Sequence, residues 1–281
     1  MNRILSALWN SIVKLNNDGG LAIASNVALS LLLSLFPFLM LIAALVRLYG
    51  DPSLAGSVVD LVLGHWPGDS AKPIADQVAI LLAQSPTEFF SFSTLIVLIL
   101  ATNGVENARD GLNRAYKVQE TRSFLWRRLQ ATLFVLGGAL GLIAVAFVLV
   151  GTPFIWSFLE SRIPVLAESG WTFTAVQYGL AIGLLWLILL AFHKWLPDMK
   201  KTRREMRWGI VLTIVAIVAG SNLFGFYLQT IANYTALYAG LAGMMIAIVY
   251  LYCVSVLILW GAEFNTALND PLKKPSVNTD N

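Results

Sequence analysis

From Asn26 to Tyr49 the chain runs with a single charge, Arg47, and this stretch constrains the fold more tightly than any other feature. About 20 apolar residues in a helix cross the hydrocarbon of a bilayer, where only a helix or a closed barrel satisfies its own backbone. Runs of similar character recur at about 89–108, 129–150, 173–192, 208–228 and 237–260, and alternating ten-residue strands of the barrel type do not occur. Charged residues make up only 12% of the 281, against roughly 25% in a soluble domain. The expectation is an all-α, polytopic membrane protein with six transmembrane helices. They form a single domain over 1–270, with a short cytoplasmic tail over 271–281.

Ahead of the first span, Ile4, Leu5, Leu8, Ile12 and Leu15 fall at helical spacing with Arg3, Asn10 and Lys14 between them. That pattern predicts an amphipathic helix lying at the membrane surface. The same segment lacks the continuous apolar core of a cleavable signal, so the mature chain is expected to begin near Met1. Between the first two spans, Ser53–Leu63 and Ser70–Ala83 show helical periodicity on either side of the turn signals in HWPGDS. Two short periplasmic helices are expected there. Cys253 is the only cysteine, can form no intramolecular disulfide, and is expected to be buried packing.

Six spans put both termini on one side, and sixteen of the nineteen basic residues fall there with them. Only Arg47, Lys72 and Arg162 fall on the other. An excess of Lys and Arg marks the cytoplasmic side, so both termini are expected in the cytoplasm. The basic inner surface should attract anionic lipid headgroups, at about 1 kcal/mol per residue near the surface. Membrane lipids are thus the expected partners. Nucleic acid is not, because the basic residues do not share one soluble face. Gly137 with Gly141, Gly179 with Gly183, and Ser221 with Gly225 repeat the small-xxx-small spacing that lets a neighbouring helix approach, as do Ala239, Gly243 and Ala247. A compact bundle follows, and a homo-oligomer is compatible with it.

Two polar groupings interrupt the apolar pattern. In the first span Asn26, Ser30 and Ser34 form one stripe at i,i+4 spacing ahead of Pro37, which should kink the helix while Ser34 satisfies freed backbone groups. In the stretch TNGVENARDGLNRAYKVQETRSFLWRR, a helix continuing out of the second span places Asn103, Glu106, Asn107, Asp110, Asn113, Arg114 and Lys117 on one broad face. Gly104, Ala108, Leu112 and Ala115 lie opposite, and Arg109 is spaced for a local ion pair with Glu106. The polar face either lines a cavity reached from the cytoplasm or pins the helix at the interface. Glu263 and Asn265 close the sixth span at the same depth, and a Glu263–Arg109 pair would tie span six to span two. Asn222, Gln229 and Asn233 are expected to make interhelical hydrogen bonds.

Signatures of enzymes are poor. His65 and His193 fall on opposite sides of the membrane, and no phosphate-cradling glycine loop or HExxH spacing occurs. No catalytic residue, metal or cofactor is expected, and a nuclease is not.

The combination of the N-terminal amphipathic helix, SLLLSLFPFLMLIAAL, GVENARDGLNRAYKV followed by RSFLWRR, KWLPDMK, and YAGLAGMMIAIVYLY with LILWGAEFNTAL resembles the YihY/BrkB family of bacterial inner-membrane proteins. The resemblance covers about residues 1–269. It implies six helices in the cytoplasmic membrane with both termini inside, and it directs attention to Ser34, Pro37, Asn113, Arg122, Pro197, Gly261, Glu263 and Asn265. It also implies an inherited ribonuclease label that these residues do not support, and links to serum resistance or envelope lipid transport. RREMRWG departs from the family in lacking a proline before its glycine, which leaves the start of span five less defined. Two readings follow. One is a transporter or flippase-like protein for an envelope lipid or other amphiphilic or ionic substrate, with its polar residues lining the path. The other is a non-transporting structural or assembly factor whose polar residues hold the bundle together.

Overall fold

The computed structural model describes residues 2–49, 92–141, 156, 170–199, 203–230 and 242–269. Among them there is no strand, and seven helices follow in order: α1 Asn2–Asn17, α2 Gly20–Tyr49, α3 Phe92–Ala115, α4 over 124–141, α5 Gly170–Trp195, α6 Arg203–Thr230 and α7 Ala242–Asn269. Two segments, Glu205–Leu228 and Met244–Asn269, are long and apolar enough to cross a membrane, and Gly20–Ser34 and Ile182–Trp195 are shorter apolar helices. The expected outer helices at Ser53–Leu63 and Ser70–Ala83, the end of the third span at 142–150, Asn233, and the tail over 271–281 lie outside the described residues.

Local chemistry sets where these helices stop. Gly19, at φ +69°, takes the left-handed conformation that turns α1 into α2. After α3 the same job falls to Lys117, at φ 56°. The Lys117 amide donates to Arg114 O at 2.9 Å and the Val118 amide to Asn113 O at 2.8 Å, the paired bonds of a Schellman cap. A side chain at this position costs roughly 1–2 kcal/mol that glycine would not, and the cap bonds offset it.

α2 packs along α3 more extensively than any other pair, α7 packs on α6, α2, α1 and α3, and α5 packs on α6. A buried core of Leu15, Ala24, Ala101, Val105, Leu112, Val135 and Leu259 joins five of these helices. α1 presents Ala7 to Phe264 and Ala267 of α7, and Trp260 Nε1 donates to Ser11 Oγ at 2.9 Å. Its other face leaves Leu5, Trp9, Ile12 and Val13 exposed. The amphipathic pattern therefore serves two surfaces, with Leu15 turned inward and Ile4, Leu5 and Ile12 outward.

Three expectations about packing change. Among the described residues, a Cβ built on Gly137, Gly141, Gly179, Gly183 or Gly225 meets nothing within 4 Å, so the described helices do not close on one another at these small-xxx-small pairs. Among the described helices the close approach is at Gly209 and Gly261, where a Cβ on Gly209 would overlap Gly261 O and one on Gly261 would overlap Thr213 Oγ1. Spacing marks where side chains are small, and the partner helix decides which of them it uses. Cys253 is exposed rather than buried, because α7 turns that side outward. Ser34 does not serve its own helix: its hydroxyl donates to Leu100 O at 3.0 Å and accepts from Gly104 N at 3.1 Å, bridging the 100→104 rung of α3. α2 runs unbroken through Pro37.

Candidate functional site

The polar residues collect at the end of the bundle where α3 and α5 finish and α4 and α6 begin. Arg109 is fully buried there, and its charge is met by Glu106, one turn earlier, at 2.7 Å. Nη2 of Arg109 also donates to Arg127 O at 3.0 Å and Gln130 Oε1 at 3.2 Å, which fixes α4 to α3. Arg128 Nη1 donates to Thr102 Oγ1 at 2.9 Å and Asn103 Oδ1 at 3.3 Å. Arginine suits this position because its planar fork reaches several acceptors at once.

The connection after α3 is tied just as closely. Arg122 and Glu120 form a two-pronged pair, Nε to Oε1 and Nη2 to Oε2, both 2.7 Å. Arg122 Nη2 also caps α5 by donating to Leu196 O at 2.8 Å, and Gln130 Nε2 donates to Trp195 O. Asn113 Nδ2 donates to Glu120 Oε2 at 3.0 Å, and its Oδ1 accepts from the Asp198 amide at 2.9 Å. Asp198 in turn accepts from the Thr121 amide and hydroxyl. Burial pushes the Glu120 carboxyl up, but hydrogen bonds from Arg122 and Asn113 outweigh it and hold it below its ordinary value. The same bonds from Glu120 raise Arg122.

A second network crosses from α6 to α5 through α7. Asn265, fully buried, accepts from Gly209 N at 2.7 Å and donates to Tyr116 Oη at 3.2 Å. Tyr116 Oη lies 2.6 Å from His193 Nδ1. The imidazole tautomer sets which of the two donates in that hydrogen bond. Gly209 lacks a side chain where Asn265 must reach its amide, so the helix crossing and the hydrogen bond depend on each other.

The structure brings most of the expected residues together, with different partners. Ser30 accepts from Asn107 Nδ2 at 2.9 Å, and Asn103 O accepts from the same amide at 3.0 Å. Asn26 and Asp110 are exposed. Glu263 does not pair with Arg109. It is 2% exposed, its Oε2 has no hydrogen-bond partner, and the charged groups facing it are Asp18, Lys14 and Lys117. The two residues leave their helices toward different neighbours, Arg109 toward α4 and Glu263 toward α1. Tyr116, His193, Glu120, Gln130 and Asp198 carry the networks and were not singled out by spacing, because each acts across 65 or more residues or around a turn.

Beneath this end lies a cavity of about 820 Å³ among α2 to α7. Its wall is apolar: Phe38 from α2, Val105 from α3, Phe134 from α4, Phe192 from α5, Phe224 from α6 and Leu251 from α7 stand round it. Phe134 and Phe192 meet edge to face at 5.5 Å between centroids, and Phe224 tilts on Tyr250 at 5.6 Å. Three hydroxyls face inward. Ser34 is committed to α3, and Ser221 Oγ and Tyr250 Oη lie 3.0 Å apart. Asn26, Glu106 and Glu263, expected on a polar path, are not part of the described wall. Among the described residues no group of three His, Cys, Asp or Glu is placed to hold a metal ion.

Aromatic rings gather outside the polar end. Arg207 lies 5.1 Å from the ring of Trp208, Lys194 lies 5.8 Å from that of Trp195 and Arg128 lies 6.0 Å from that of Phe124, and all three rings are exposed. Amphipathic rings beside cations are what a bilayer boundary selects. Below them the outer faces of α4 to α6 expose Leu133, Leu140, Leu180, Leu187, Val215 and Leu223.

A helical bundle with apolar spans and an apolar outer surface is a membrane protein. The chain belongs to the family described as Virulence factor BrkB, which matches over residues 11–280. It is 26% identical over 257 residues to the ribonuclease-like protein YfkH of Bacillus subtilis (strain 168), covering 91% of this chain and 92% of that one. It is 26% identical over 235 residues to a UPF0761 membrane protein of Chromobacterium violaceum, covering 82% of this chain and 49% of that one. A UPF0761 membrane protein of Alteromonas mediterranea is 22% identical over 285 residues, covering 95% and 89%. No solved structure matches.

Proposed function

We propose that the protein is a transporter or flippase-like protein for an envelope lipid or another amphiphile. In this reading it sits in the bacterial cytoplasmic membrane as six spans with both termini inside. The observation that carries it is the apolar cavity of about 820 Å³ that six helices line beneath the polar end. Ligand sites commonly occupy about 300–1,000 Å³, and a structural bundle has no need of such a space. An ionic substrate is the weaker part of the reading, because Arg109, Glu106 and Asn113 are occupied with one another and with α4. The ribonuclease-like name of one relative finds no support in these residues, and we infer no enzymatic role.

That same pairing favours a second reading, a structural or assembly factor of the envelope whose polar residues only hold helices together. Reconstitution into vesicles separates the two. Wild type should carry a labelled phospholipid between leaflets faster than protein-free vesicles. Gly225→Leu, which fills the cavity, should slow it, and Glu106→Gln should slow it less. Vesicles in which wild type moves no envelope lipid or common ion above background overturn the transport reading. Orientation is checked with alkaline phosphatase and fluorescent-protein fusions after Asn17 and Asn269, where activity of the phosphatase at either point contradicts cytoplasmic termini.

A further inference from the structure

We infer that the cavity seats the acyl chain of a membrane phospholipid and leaves the headgroup outside. This deepens the transport reading by naming what the cavity holds, and it rests on that reading's placement of the bundle in a bilayer.

The chemistry of the wall excludes the alternatives. Every inward hydroxyl is already engaged: Ser34 bridges Leu100 and Gly104, and Ser221 meets Tyr250. A headgroup, a sugar or an ion brought inside would lose its hydration and meet no waiting partner. A hydrocarbon chain has nothing to satisfy. It gains dispersion contacts against Phe38, Phe134, Phe192 and Phe224, which otherwise face empty space. Lipid tails are as apolar as the wall, so selection comes from shape and packing and not from the hydrophobic effect.

The surroundings supply the chain. Leu33 and Leu100 are exposed next to the wall residues Ser34 and Ala101, and Leu223 and Phe226 are exposed on either side of Phe224 and Gly225. A chain leaving the bilayer for the cavity therefore starts from apolar surface and ends on an apolar wall. The headgroup is held back at the boundary marked by Trp195, Trp208 and their neighbouring cations.

The test uses the full chain in vesicles of phosphatidylethanolamine and phosphatidylglycerol, doped with a phospholipid bearing a diazirine on one acyl chain. After illumination the labelled residues are mapped. Labels are expected on Phe38, Val105, Phe224 and Leu251 as well as on the outward Leu133 and Val215. Two filled variants, Gly138→Leu and Gly225→Leu, should lose the inner labels several-fold and keep the outer ones. Among the described residues a Cβ at Gly225 meets nothing within 4 Å and one at Gly138 meets only Phe38 at 4.0 Å, so the new side chain has room to start toward the cavity at both. Gly137→Leu, on the exposed neighbouring position, should leave the inner labels unchanged, and elution volume and melting midpoint report folding of all three.

Inner labelling no stronger in wild type than in the folded, filled variants overturns the proposal. So does inner labelling by a diazirine-bearing free fatty acid but not by the phospholipid. Inner labelling that the filled variants abolish, with no lipid flux in wild type, leaves this proposal standing and removes the transport reading.

Discussion

Asn265 uses both ends of its amide in a site that water does not reach. Its oxygen takes the Gly209 amide and its nitrogen serves Tyr116, so removing it takes away two buried hydrogen bonds at once. An unsatisfied buried group costs about 1–3 kcal/mol. Asn265→Ala is therefore expected to lower stability by about 2–4 kcal/mol, read as a fall in the melting midpoint in detergent, and a change within error would show that the network carries no weight. Lys117 predicts the opposite sign. Its φ of 56° suits glycine, so Lys117→Gly should gain about 0.5–1 kcal/mol in the same assay while leaving the cap bonds in place.

Glu120 links residue chemistry to pH. Its folded carboxyl lies below the ordinary value, so its contribution is complete above that value and disappears as pH falls through the folded one. Unfolding by detergent or urea should become easier as the pH drops below about 4.5, and Arg122→Gln should flatten that part of the profile. An unchanged slope in the variant would assign the acid sensitivity to other carboxylates.

At the scale of elements, the glycines divide sharply. Gly209 and Gly261 let α6 and α7 touch backbone to backbone, and α7 then carries Asn265 to the Gly209 amide. Gly209→Ala pushes a methyl into Gly261 O and the Asn265 side chain, and overpacking of this kind costs about 1–3 kcal/mol before the broken hydrogen bond is added. Gly137→Ala and Gly179→Ala meet nothing among the described residues and improve helix propensity, so they should be neutral or stabilising by up to about 1 kcal/mol. Parallel melts of the three variants check this, and a loss at Gly137 equal to that at Gly209 would contradict the crossing. The spacing of small residues was readable in the chain, yet the described helices cross at Gly209 and Gly261 and not at the glycine pairs it marked on α4, α5 and α6.

For the whole molecule, the contrast is between a dry outer surface and a paired polar end. Cys253 sits on the exposed side of α7, in a segment apolar enough to span. In vesicles it should react with an apolar, lipid-soluble maleimide and resist a charged thiosulfonate. Equal rates with the two reagents would put that face of α7 in water.

The apolar runs, the amphipathic α1 and the continuous helix through Arg109 were legible before any fold was known, since each depends on periodicity or composition within one segment. The Glu106–Arg109 pair was legible for the same reason, being three residues apart on one helix. The partners of Ser34, Asn113, Glu263 and Asn265 were not, nor was the cavity. A buried polar side chain is satisfied by whatever backbone or side chain the packing brings within about 3 Å, and a cavity is the space that several helices fail to fill. Both depend on how the helices are placed against one another, which tertiary packing alone decides.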